Sequence, residues 1–173
     1  EQVVAMDAEG EYETLKQELV QRQEVAGVTA ASETPGLGGG MTYRYEINGQ
    51  PPDDSEERLD IQRVDFGFFE TIGVETIAGR TPSADRRGDL GTGEPRGGTH
   101  ASPYFRDQAL VVNRAAAQKF GWTPEEALGE RIRLYILENE TIYQDYAGEV
   151  VGVVEDYHTT SLREEIPPVV YTP

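Results

Sequence analysis

The stretch Glu149-Val150-Val151-Gly152-Val153-Val154-Glu155 limits the fold more than any other part of the 173-residue chain. Its β-branched side chains are stiff at χ1 and suit a pleated, buried surface, so the run predicts a strand at the centre of a sheet. The remaining sequence must then supply neighbouring strands and the helices that cover them.

Apolar patterning provides both. Val3-Val4-Ala5-Met6 reads as a short strand, and Glu11 to Gln23 as a helix whose Tyr12, Leu15 and Leu19 form one stripe among charged residues. Val25 to Ala31 reads as the next strand. Leu59 to Val64 alternates as a strand, Asp65 stands as a helix N-cap ahead of Phe66, Phe68, Phe69 and Ile72, Gly73 stops that helix, and Val74 to Ala78 resumes as strand. The chain thus runs strand, helix, strand twice, which predicts two βαβ-like halves. Between them, Thr42 to Ile47 alternates before an Asn48-Gly49 turn, the start of a hairpin whose return strand comes after a polar stretch.

The second half of the chain begins with a change of composition. Arg80 to Arg106 is dominated by Gly, Pro, Asp, Arg, Thr and Ser, and predicts a long surface loop or a partly disordered segment. Leu110-Val111-Val112 then reads as a strand, Asn113 as an N-cap, and Ala115 to Phe120 as a helix closed by Gly121. Thr123-Pro124-Glu125-Glu126 has the form of a capping box. Arg131 to Leu137 alternates as a strand, followed by an acidic and polar loop through Asp145.

Charge removes several function classes. With 32 acidic against 15 basic side chains the formal net charge is -17, which repels nucleic-acid backbones and anionic membrane surfaces, so no nucleic-acid partner is expected. The acidity reads as a solvated surface, compatible with a high-salt source. The absence of cysteine excludes disulfides, thiolate nucleophiles and cysteine-ligated metals. No stretch approaches the roughly 20 apolar residues that span a bilayer, and no signal-peptide pattern opens the chain. The beginning at Glu1-Gln2-Val3-Val4 and the ending Pro168-Val169-Val170-Tyr171-Thr172-Pro173 read as a fragment excised from a longer protein.

Candidate chemistry is sparse. Gly36-Leu37-Gly38-Gly39-Gly40 lacks the Lys-Ser/Thr ending and the following helix of a phosphate loop, and reads as a flexible turn. Asp156 and His158, with Glu155 beside them, follow the strongest strand and carry ligand-type side chains, but only His100 remains to join them, so the group reads as a turn. Ser32, Ser55, Ser83, Ser102 and Ser161 all lack the setting of a nucleophile elbow. The pairs Glu56-Glu57, Glu125-Glu126 and Glu164-Glu165 read as solvated faces, and Phe66, Phe68 and Phe69 as core anchors. Trp122 is either a buried lid or an exposed contact. No catalytic, cofactor-binding or metal residue is assigned, and no cofactor is expected.

Several stretches taken in order resemble the MacB-like extracytoplasmic domain of FtsX-type ABC transporter permeases. They are Val64-Asp65-Phe66-Gly67-Phe68-Phe69-Glu70-Thr71-Ile72-Gly73-Val74 with Ile77-Ala78-Gly79-Arg80, Val111-Val112-Asn113-Arg114-Ala115-Ala116-Ala117, Ala127-Leu128-Gly129-Glu130-Arg131-Ile132, and Val150 to His158. The ending Ser161-Leu162-Arg163 with Ile166-Pro167-Pro168-Val169-Val170-Tyr171 is also similar to that family. The long Gly/Pro/Arg loop around Gly88 to Pro103 and the strong acidity depart from it. The resemblance implies an α+β fold, with a porter-like part over residues 1–80 and 149–173, a long loop over 81–109, and a second small α/β lobe over 110–148 inserted before the final strands. It also implies a non-enzymatic role between two membrane helices on the periplasmic face of the bacterial inner membrane. There the domain would transmit ATP-driven motion, with a cytoplasmic ABC ATPase, a second permease copy and an extracytoplasmic adaptor or substrate as partners. Both chain ends are then expected at one membrane-facing edge, at the strands of Val3 and Val169. Two alternatives remain open: a ligand-binding module with an apolar cleft near Phe68, Trp122 or Tyr135, and a metal-dependent hydrolase built on Asp156 and His158 with His100 or a further acidic side chain.

Overall fold

The computed structural model describes residues 4–6, 10–32, 41–54, 57–91, 105–138, 141–158 and 165–173. Among these residues three short helices, α1 (Tyr12–Leu19), α2 (Phe68–Ile72) and α3 (Arg114–Lys119), accompany seven strands. These are β1 (Met41–Ile47), β2 (Leu59–Arg63), β3 (Thr76–Gly79), β4 (Phe105–Asn113), β5 (Arg131–Glu138), β6 (Thr141–Val154) and β7 (Val169–Thr172).

The strands pair in the order β3-β6-β4-β7-β2-β1-β5, and β5 returns to pair with β6. Six strands therefore close into a ring, with β3 added beside the C-terminal half of β6. Pairings β2–β7 and β4–β6 are parallel and the others antiparallel. The 14-residue β6 takes the internal position expected of its valine run. Its first half lies between β5 and β4, and its second half between β3 and β4.

Burial on both faces explains why Leu110-Val111-Val112 of β4, the valine run of β6 and Val169-Val170-Tyr171 of β7 are continuously apolar, whereas β1, β2 and β5 alternate. One core cluster gathers Tyr43, Tyr45, Leu59, Ile61, Leu110, Val112, Ile132, Leu134, Val150, Val153 and Val170, drawn from all six ring strands, and is covered by Ala116 and Ala117 of α3. The residues between them point the other way. Val111, Val154, Val169 and Tyr171 pack with Val64 and with Phe68 and Phe69 of α2. Close backbone approach sets the position of two glycines in β6. A Cβ on Gly148 would stand 1.9 Å from the Gln108 carbonyl oxygen, and one on Gly152 2.1 Å from that of Arg80.

The local signals are realised in several places. Asn113 caps α3 through its side chain, and Gly73 ends α2 at φ 77°. Thr123 and Glu126 exchange the hydrogen bonds of a capping box, although the segment continues as turns rather than helix. Asn48 and Gly49 take positive φ of 51° and 80°, and β2 pairs back on β1 as the return strand.

Other expectations fail for identifiable reasons. Residues 4–6 form no strand; Val3 lies outside the described residues, as does Gly36 to Gly40. Among the described residues, Val25 to Ala31 makes one isolated bridge, Ala31 to Val64, and no strand. The first βαβ-like half therefore does not form. The second does, as β2-α2-β3, but β7, β4 and β6 lie between its strands. The helix at Glu11 to Gln23 is shortened to Tyr12–Leu19. Asp65 does not cap α2: Gly67 holds that position in the left-handed region. The polar loop expected before Asp145 is instead strand, since β6 begins at Thr141 and forms a hairpin with β5. Within 110–148, expected as a second lobe, β4 hydrogen-bonds to β7 and β5 to β1, so strands of that stretch share one sheet with strands of 1–80 and 149–173.

Candidate functional site

The residues that most resembled a reactive group lie at the junction where β6 ends, α3 begins and β7 starts. Asn113, fully buried, accepts hydrogen bonds at Oδ1 from the backbone N–H of Ala116 and of Val169, each at 2.9 Å. Its Nδ2 donates to the Pro167 carbonyl at 2.8 Å. Asp156 accepts from the Ala115 N–H at 3.0 Å, so two orphan donors of the first turn of α3 are satisfied, one from the end of β4 and one from the segment after β6. The Arg114 guanidinium grips the Glu155 carboxylate with two bonds of 2.8 and 2.6 Å and holds that carboxyl below its usual range.

This geometry gives Glu155 and Asp156 structural work. His158 is exposed, His100 lies outside the described residues, and among the described residues no three His, Asp or Glu side chains come together as a metal would require. Ser32 accepts from the Arg63 N–H and Ser83 from the Asp85 N–H, as turn-stabilising hydroxyls do. Ser55, Ser102 and Ser161 lie outside the described residues.

The aromatic side chains form a packed joint. Phe69 meets Tyr171 edge-on at 5.1 Å, Phe68 meets Phe69 at 5.4 Å, and Tyr157 stacks on Tyr171 at 6.1 Å. Trp122, half-buried, leans on Phe120 at 4.8 Å, and Tyr135 lies under the Arg133 guanidinium at 5.2 Å. Beside α2 there is a shallow depression of about 200 Å³, open solvent included, lined by Val64, Asp65, Phe66, Gly67, Phe69, Thr81, Pro82 and Pro173. Sites for small organic ligands enclose about 300 Å³ or more. The depression is smaller than that and open.

A further polar cluster escaped the sequence reading. Arg80 forks onto Asp89 with bonds of 2.6 and 2.8 Å, and the Ser83 N–H donates to the same carboxylate at 2.9 Å. Asp89 is buried, only 3% exposed, and Arg80 holds its carboxyl below the usual range. The signal was the Gly79-Arg80 strand end. The composition of the following residues masked it, so the first part of the expected loop, 80–91, is a set of turns tied to the body, while 92–104 lies outside the described residues.

The described residues thus form a ring of strands with buried polar ties at Asn113 and Asp89. No family model matches the sequence, and no curated protein does. Among solved structures, the periplasmic region of MacB from Actinobacillus actinomycetemcomitans superposes with a TM-score of 0.53 at 15% identity, covering 94% of this chain and 54% of that one. A permease-protein domain from Porphyromonas gingivalis gives 0.49 at 16% identity, covering 92% and 55%. The extracellular domain of the ABC-type transporter YknZ from Gram-positive bacteria gives 0.45 at 15% identity, covering 91% and 61%. The chain thus shares its fold with the periplasmic region of MacB, and it spans between about half and three-fifths of the solved chains it matches. No helix among the described residues is long and apolar enough to cross a membrane.

Proposed function

We propose that this chain is the extracytoplasmic domain of an ABC transporter permease of the MacB/FtsX type, placed between the first and second membrane helices of a longer protein. Its role there is to pass motion driven by a cytoplasmic ATPase to a substrate or partner outside the membrane, working beside a second permease copy. The observation that carries this reading is the fold shared with MacB's periplasmic region over 94% of the chain. The junction at Asn113 fits it: a domain that transmits displacement must move as one body, and buried polar ties across segments distant in sequence resist internal shear. We read the role as non-enzymatic: Glu155 is held in an ion pair with Arg114 and Asp156 caps the start of α3.

The chain has no cysteine, so an introduced one is its single labelling site once any cysteine elsewhere in the full-length protein is replaced. In the full-length protein, purified with its ATPase into lipid and labelled through an exposed Glu125→Cys, the spin–spin distance between the two copies is measured without nucleotide and after trapping with ATP and vanadate. A shift of several ångströms supports transmission. An unchanged distance distribution, with the ATPase demonstrably trapped, would sink it.

A further inference from the structure

α1 is amphipathic, yet no residue of it is buried. Tyr12, Leu15, Lys16 and Leu19 are only half-covered, and the turns after it, residues 20–24, are exposed. A helix of eight residues is too short to persist alone in water. Something other than burial therefore holds it in place.

The holding contacts converge on Asp65. Among the described residues, the two side-chain hydrogen bonds that α1 makes, from the Tyr12 hydroxyl and the Lys16 ammonium, both end on Asp65 Oδ2. Lys16 also lies over the Tyr12 ring at 5.4 Å. The other carboxylate oxygen of Asp65 accepts from the Phe66 N–H at 2.8 Å, and the Asp65 N–H donates to the Ala30 carbonyl at 2.9 Å. One residue thus receives both α1 and the segment that follows it. That segment is itself zipped to the end of β2 by Ser32 N–H to the Arg63 carbonyl at 2.7 Å and by Arg63 N–H to Ser32 Oγ at 3.0 Å.

We infer that α1 is a strap, latched to the ring through Asp65 by Tyr12 and Lys16, that releases and unwinds while the ring stays folded. The hinge is the exposed stretch 20–24, and the anchor that remains is the bridge at Ala31 and Val64. Release exposes the stripe of Tyr12, Leu15 and Leu19. Local opening of this kind is expected where few apolar contacts hold an element and the rest of the body is densely packed. The inference depends on this geometry and not on the transport reading, so either can fail without the other.

The test is amide hydrogen exchange on the chain and on two variants. Tyr12→Phe with Lys16→Met strips the latch from the α1 side and keeps helix propensity. Asp65→Asn weakens it from the other side. The expected result is that the helical amides of Leu15 and Val20 exchange about tenfold faster or more in both variants, while amides of β4, β6 and β7 keep their wild-type protection. Unchanged α1 exchange in both variants overturns the latch. So does a rise in α1 exchange that appears only together with loss of protection in β4, β6 and β7, or outright unfolding of the variants, since either shows α1 to be part of the core.

Discussion

Asn113 and Val169 stand 56 residues apart, and the Asn113 side chain joins them: its Oδ1 accepts the Val169 N–H at 2.9 Å while also capping α3. The end of β4, the start of α3 and the start of β7 thereby share one buried acceptor.

Removing that acceptor should be expensive. Asn113→Ala leaves the Ala116 and Val169 N–H groups, both in buried hydrogen bonds, and the half-buried Pro167 carbonyl without their partner. We expect a loss of about 3 kcal/mol, combining a lost cap with unsatisfied buried groups. Urea unfolding monitored by circular dichroism reads it. A loss below about 1 kcal/mol would mean that water reaches the junction.

Asp89 should make stability depend on acid. Its carboxyl titrates below the usual value because Arg80 hydrogen-bonds the charged form. A depressed folded pKa contributes stability that is fully present above the unfolded value, about 4 for Asp, and that disappears as pH falls through the folded value. Asp89→Asn is therefore expected to be about 2 kcal/mol less stable than wild type at pH 7, with the gap narrowing as pH falls from about 4 through the depressed folded value. A gap of constant size across that range would assign the effect to packing.

The sequence was most informative where a single physical rule acts locally. The valines of β6, the cap at Asn113, the stop at Gly73 and the turn at Asn48-Gly49 each depend on one or two neighbouring residues, and each is found in the structure. It was least informative where the deciding partner lies far along the chain. Val25 to Ala31 has the apolar residues of a strand, but among the described residues its one bridge is Ala31 to Val64. Asp65 has the chemistry of an N-cap, yet Tyr12 and Lys16 claim its Oδ2 and Gly67 takes the capping position. Asp89 is a buried ion-pair partner set among loop-forming residues, so composition pointed away from it. Ring closure was not legible at all, because it needs β5 to pair with β1, far earlier in the chain, and register between distant strands leaves no local mark.

Gly152 should tolerate no side chain. It sits in the valine run, where the Arg80 carbonyl oxygen would be 2.1 Å from an added Cβ and the contact is backbone on both sides. The Arg80 N–H to Val151 carbonyl bond of 3.0 Å fixes that approach. Gly152→Ala is expected to cost about 3 kcal/mol, and to displace Arg80 from Asp89. The measurement is the unfolding midpoint of Gly152→Ala alone and combined with Asp89→Asn. Since both act through the position of Arg80, the double variant should lose less than the sum of the two single losses. Full additivity would show that the ion pair survives the clash.

Finally, stability should rise with salt. The charge of -17 is self-repelling in the compact state, and screening shortens its range from about 10 Å at 0.1 M to about 3 Å at 1 M. The same screening weakens exposed pairs such as Arg131 with Asp107 at 2.8 Å, but each such pair contributes only about 0–1 kcal/mol. Net repulsion should therefore dominate, and the thermal midpoint should climb between 0.05 and 1 M sodium chloride. Protonation supplies the control. Near pH 4 many of the 32 carboxylates are neutral, so the same salt step should then raise the midpoint much less. An equal salt response at both pH values would point to preferential exclusion of salt from apolar surface rather than to charge.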